Sequence, residues 1–237
     1  MTGIVPLDAR QHAALRFDPA AAGADRRFVR LGLSEIAFAA AEMPLCLAKD
    51  AQTGRFNLIA LLGLVEPANL FAADGRFRAT YIPRAAMLTG FRLHDGGAAG
   101  LAIDPADPTI VRNTGDALFV GDAPAPLLAR LHDALRRLIA DVAAAQALVD
   151  LYADRQLIRP LSVRLHLADG RDHDLAGLYT IDDAALRDLP DAAVVALHRA
   201  DALAPAAILS ASLAQVERLR QLHDSRFAPA IVACTLG

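Results

Sequence analysis

The chain reads as an α+β protein: a mostly antiparallel sheet with one long amphipathic helix and several short helices. Three observations predict this. From Pro126 to Ala153, the residues Leu128, Leu131, Leu135, Leu138, Val142, Ala145, Val149 and Tyr152 recur at intervals of three and four, which is one face of a helix. Leu161–Leu167 and Leu175–Ile181 alternate apolar with polar residues on either side of Asp169-Gly170, the pattern of a hairpin. Elsewhere strands and helices mix without the strand–helix–strand rhythm of a parallel sheet.

Taken in order, Ile4, Val5 and Leu7 predict an edge strand, Leu15 and Phe17 a second, and Pro19–Arg27 a loop. Ser34 stands where an N-cap would open a helix over Glu35–Glu42, with an acid in the first turn, and Pro44 closes it. Leu45–Lys49 and Phe56–Leu64 read as strands joined by a turn at Asp50–Gly54. The second is apolar on both faces, as expected in the middle of a covered sheet. Leu61–Pro83 then runs through a turn, Asn69-Leu70-Phe71, an Asp74-Gly75 turn and an aromatic strand ending at proline. Pro83–Leu88 predicts a short helix with proline at its first position, and Leu101–Asp104 a short strand. Pro105–Gly121 is rich in loop residues, with Ala117–Val120 a small strand.

On the polar side of the long helix, Asp133, Arg137 and Asp141 follow at the spacing of four that suits ion pairs. Beyond the hairpin, whose return strand should turn Leu175, Gly177, Tyr179 and Ile181 to one face, Asp182–Leu189 and Asp191–Arg199 form short helices divided by Pro190. Ser212 to Gln215 reads as a capping box opening a helix to His223, and the apolar tail Phe227–Gly237 as a strand on the domain or on a partner. The whole reads as one domain of 237 residues, with any subdivision near 105–121.

Composition narrows the function classes. A net charge of −3 offers no basic footprint for nucleic acid. Much of the 54% hydrophobic content behind the mean hydropathy of +0.31 is alanine, and no run reaches the about 20 apolar residues of a membrane span. The N-terminus lacks the order of a secretory signal, so the expectation is a soluble, cytoplasmic protein with Cys46 and Cys234 reduced. Arginine and alanine abound and Lys49 is the sole lysine, as in high-GC bacterial genomes.

No motif assigns a reaction. Four His-Asp neighbours occur, at His94, His132, His173 and His223, but adjacent residues point apart and the His-x-Asp spacing of iron sites is absent. Solvated histidines and no metal or other cofactor are expected. Ser210 and Ser212 read as caps, Cys46 as a small apolar filler of a buried strand, and Gly96–Gly100 lacks the ending of a phosphate loop. The polar residues set among apolar ones after Leu61 are the candidates for binding a ligand or partner. These are Asn69, either a turn residue or an orienting amide, and Phe71, together with Phe77, Tyr81 and Arg84, which would line a groove or an aromatic core.

Four segments in this order, LSEIAFAAAEMP (33–44), ALLGLVEPANLF (60–71), DGRFRATYIP (74–83) and LAPAAILSASL (203–213), resemble the bacterial SapC family. Leu118-Phe119 near Gly121 and Asp169-Gly170 before Gly177 also fit its pattern. The chain departs from it after Tyr81-Ile82-Pro83, where RAAMLTGFRL replaces a run of arginines and a Tyr-Pro-Phe, and at Phe77, where tryptophan is common. The resemblance implies a surface-layer-associated name and gene neighbours that include flavin-dependent halogenases, cupin-like proteins and TonB-dependent receptors. It therefore implies a non-catalytic accessory or interaction protein of a bacterial uptake or modification system. The alternative is a metal-dependent or peptide-modifying enzyme whose site carries no familiar motif.

Overall fold

In a computed structural model that describes residues 3–21, 23, 25–65 and 68–237, Asp169-Gly170 turns Ile158–Leu167 back against Asp172–Ile181. Gly170 takes φ +84°, the left-handed turn conformation that glycine adopts without strain. This hairpin is central to a six-stranded antiparallel sheet in the order Ile231–Leu236, Ile158–Leu167, Asp172–Ile181, Leu45–Lys49, Phe56–Leu61, Phe28–Arg30. The expected α+β class with antiparallel pairing is what the chain adopts.

By its contacts the chain divides into two compact units, each assembled from separate segments. The larger, Ala24–Phe71, Ala79–Tyr81 and Asp141–Gly237, holds the six-stranded sheet. Phe56–Leu61 lies between two neighbours, and Leu58, Ile59, Ala60 and Leu61 are all buried, so both faces are covered as the apolar run predicts. The Asp50 carboxylate closes the preceding turn by accepting from the Gln52 and Thr53 amides and the Thr53 hydroxyl, which hold it below the usual carboxylate range. The apolar tail forms Ile231–Leu236 and packs on the domain, beside Ile158–Leu167. Pro160 is tolerated within that strand because bonding to the C-terminal strand begins only beyond it, at Ser162, which pairs with Gly237.

Three local expectations are corrected. The return strand does not alternate strictly: Leu161 pairs with Leu178 and Val163 with Leu175, so Ala176 and Gly177 together oppose Ser162. This bulge, with Gly177 at φ +78°, shifts the phase, buries Leu175 and Leu178, and leaves Gly177 exposed. Ser34 is no N-cap; it lies in the 3₁₀ turn Leu33–Glu35 and gives its amide and hydroxyl to Asp141, at 3.0 and 2.7 Å. The turn leads into the helix Ile36–Ala40, and Glu35 reaches back to the Gly32 amide at 2.8 Å. Ser212 likewise opens nothing. It ends Leu203–Ser212, donates to the Leu209 carbonyl and accepts from the Leu45 amide, while Leu213–Gln215 carries the chain on into Val216–Asp224.

The smaller unit is Met1–Gly23, Ala72–Arg78 and Ile82–Ala140. Its strands are short. Val5–Pro6, Leu101–Ile103 and Phe91–Leu93 form one three-stranded sheet, and Ile110–Val111, Arg16–Phe17 and Asp116–Ala117 another. Two further pairs are Phe119–Val120 with Ala123–Pro124, and Ala72–Ala73 with Arg76–Phe77. The last is the expected Asp74-Gly75 hairpin, both residues at positive φ, and Arg76 ion-pairs with the nearly buried Asp18 at 2.7 Å. Phe17 and Phe91 meet edge to face in its core.

Pro126–Asp154 is helical over 29 residues and buries Leu128, Leu131, Leu135, Leu138, Ala145, Val149 and Tyr152, the predicted stripe apart from half-buried Val142. The Tyr152 hydroxyl is spent on the Ala202 carbonyl at 2.5 Å. No single helix among the described residues is long and apolar enough to cross a membrane. The bent pair Asp191–Arg199 and Leu203–Asp224 passes on combined length and composition, with a 90° bend, yet it buries Leu197, Leu209, Val216 and Leu219 in the larger unit. The turn expected at Glu66-Pro67, and Ala22 and Ala24 of the Pro19–Arg27 loop, lie outside the described residues.

Candidate functional site

Glu35, Phe38 and Glu42 follow at spacings of three and four, so a helical run sets them on one face of the segment that opens the larger unit. That face receives Thr80-Tyr81. The Tyr81 hydroxyl donates to Glu35 Oε1 at 2.7 Å, and Glu35 Oε2 accepts from the Gly32 amide. Glu42 Oε1 accepts from the Thr80 and Tyr81 amides at 2.8 and 3.3 Å, while its Oε2 accepts from Arg218 Nη2 at 2.9 Å. Both glutamates are buried, Glu35 completely. Buried carboxylates are costly unless their oxygens find donors, and here all four do.

The result is a clamp with one aromatic facing outward. Phe38 stacks on the Tyr81 ring, centroids 5.5 Å apart and planes 24° from parallel, yet is 62% exposed. A large aromatic held from beneath loses little side-chain freedom when a partner covers it.

The other candidates take other places. Asn69 is buried and its Oδ1 accepts from the Phe71 amide at 3.0 Å, closing a turn, with Phe71 fully packed. Arg226 Nη2 donates to the Leu70 carbonyl in the middle of that turn. Asn69, Phe71 and Tyr81 belong to the larger unit, Phe77 and Arg84 to the smaller. Phe77 is buried beside Ala72, its amide donating to the Ala20 carbonyl. Arg84 opens the helix Arg84–Met87, with Pro83 in the cap position, and lines a cleft with Arg130, Asp133, Ala134 and Arg137. Phe77 is not among the residues lining that cleft.

Cys46 is buried and desolvation pushes its thiol up to about 12; Cys234 is half-buried, raised by the same cause, and both are free. Among the described residues no group of three or more His, Cys, Asp or Glu is placed to hold a metal ion. Two histidines expected to be solvated are buried. His12 accepts from the Asp8 amide, and His223 sits 3.2 Å from Asp224.

Phe38, Glu35 and Glu42 escape a reading from sequence, because two acids and an aromatic on one short helical face resemble an ordinary solvated surface. The available signal is their common spacing ahead of a Thr-Tyr that lies 38 and 39 residues beyond Glu42.

The family model for SapC matches residues 7–219, nearly the whole chain. The chain belongs to the SapC family. The Glu35–Tyr81 clamp therefore lies wholly within the SapC match, as do Asn69, Phe71, Phe77 and Arg84. No curated protein and no solved structure matches this SapC chain.

Proposed function

We propose that this SapC-family chain is a non-catalytic accessory protein of a bacterial uptake or modification system, acting in the cytoplasm through protein–protein contact. The observation that carries the reading is the Phe38–Tyr81 stack, an exposed aromatic braced by a ring whose hydroxyl is tied to a buried carboxylate. Rigid aromatics of this kind dominate binding energy at protein interfaces. The two buried glutamates, the natural candidates for acid–base work, support it as well, because their oxygens are engaged in holding the loop. The partner class is the one the resemblance implies, a flavin-dependent halogenase or a component of a TonB-dependent receptor system.

The test is affinity capture of the tagged full chain from its native host, in parallel with the Phe38→Ala variant. The expected result is a halogenase or receptor component that co-purifies with the original chain and is lost from the variant. Capture that Phe38→Ala leaves unchanged, or a chain that purifies alone with stoichiometric iron or zinc, overturns the reading, and the second outcome favours an enzyme.

A further inference from the structure

Arg130, Asp133, Ala134 and Arg137 lie at i, i+3, i+4 and i+7 of the long helix, so they form one stripe along its surface. Arg84 faces that stripe from the start of Arg84–Met87, and together they line a cleft of about 550 Å³ in the smaller unit. That volume falls within the range of small-molecule sites. Among the described lining residues Arg130 and Arg137 outnumber the one carboxylate, Asp133, in a chain that is acidic overall. Among the described residues the side chains of Arg130 and Arg137 make no hydrogen bond or ion pair, and the partner of Asp133 is His132, at 3.8 Å. The Asp133–Arg137 pair that the spacing of four would allow is not formed.

We propose that this cleft binds a small organic anion with two oxyanionic ends around a hydroxyl-bearing centre. Arg130 and Arg137 are seven residues apart, about 10.5 Å along the helix axis, which separates the two anchoring points. Each guanidinium fork matches a carboxylate or phosphate in bidentate fashion. Ala134 leaves room on the floor between them. Asp133 stands between the two arginines and repels a charge placed there, but accepts a hydrogen bond from a hydroxyl, so the preferred ligand carries its charge at the ends. Arg84 closes the opposite wall. Because all five residues belong to the smaller unit, the inference stands independently of the Phe38 surface.

The two sources of this chemistry, a sugar bisphosphate and a hydroxylated polycarboxylate, are separated by calorimetric titration of the full chain with fructose 1,6-bisphosphate and with citrate. Pyrophosphate and acetate serve as controls. Saturable binding of one of the first two, weakened about tenfold by Arg130→Ala or Arg137→Ala as expected for loss of one charge-assisted contact, supports the site. In Asp133→Asn the preference over pyrophosphate should narrow. Arg130 and Arg137 are exposed, so both variants should keep the circular dichroism of the original chain. No saturable binding of either ligand, or binding that both alanine variants leave intact, overturns the proposal.

Discussion

The hydroxyl of Tyr81 donates a 2.7 Å hydrogen bond to Glu35, a carboxylate with no exposed surface, while the ring above it supports the exposed Phe38. One residue thus serves both the interior and the candidate contact surface. Tyr81→Phe separates these roles, since it keeps the ring and removes only the donor. Loss of this buried hydrogen bond should cost about 1 kcal/mol, read as a lower midpoint in urea denaturation. Phe38→Ala, at an exposed position, should leave that midpoint within about 0.5 kcal/mol of the original.

Gly32 is required for a steric reason and not for its backbone angle. A Cβ there would stand 2.1 Å from Asp141 Oδ2 and 2.5 Å from Cγ, and Asp141 is fixed by its two bonds to Ser34. Gly32→Ala should destabilise by about 1–3 kcal/mol, as overpacking does. Adding Asp141→Ala should recover part of that loss, a coupling that a double-mutant cycle measures directly.

Gly177 offers the opposite case. Nothing lies within 4 Å of a Cβ built there, but its φ of +78° is left-handed. Gly177→Ala should cost about 1–2 kcal/mol from conformation alone. Gly177→Asn should cost less, because asparagine tolerates that region. Equal losses in thermal unfolding would show that the bulge demands more than its backbone angle.

The buried thiol of Cys46 predicts both reactivity and pH dependence. At pH 8 a thiol reagent should label Cys234 in the folded chain and reach Cys46 only on unfolding. Burial raises Cys46 from 9.0 to about 12 in the folded state, so the unfolded chain releases its proton first. Stability is therefore full below pH 9 and declines as pH rises from 9 toward 12, at up to about 1.4 kcal/mol per pH unit. In Cys46→Ala that part of the alkaline slope should vanish from the urea midpoints.

At the acid end, backbone and side-chain donors hold Asp50, Asp169 and Glu217 below their usual values, so each favours the folded state when ionised. Stability should fall as pH drops below about 4, where the unfolded chain takes up protons first. Asp50→Ala should flatten the decline and loosen the Asp50–Gly54 turn, seen as faster amide exchange at Gln52 and Thr53.

What could be read in advance was whatever is written locally. The long helix and the Asp169-Gly170 hairpin rest on periodicity and on one glycine turn, and both stand. Asn69 reads as either a turn residue or an orienting amide, and its Oδ1 accepts from the Phe71 amide. Where an element depends on a distant residue the sequence is silent. Ser34 and Ser212 look like caps, but their partners are Asp141 and Leu45, 107 and 167 positions away. Gly177 looks the same in a straight strand as in a bulge. Tyr81 and Arg84 were singled out together, yet Tyr81 closes on Glu35 and Arg84 lines a cleft with the long helix, three positions apart in the chain and in different units. Arg137 reads as an ion-pairing residue on the polar side of the long helix, because nothing nearby announces that Arg84 stands opposite.

The two units are stitched from alternating lengths of one chain, which passes between them after residues 23, 71, 78, 81 and 140. Neither is therefore a cassette. A gene fragment that encodes all of one necessarily encodes part of the other, and no single crossover between relatives exchanges one unit whole while leaving the other intact. Recombination can shuffle domains that follow one another along a chain, but this pair has to be inherited as a whole.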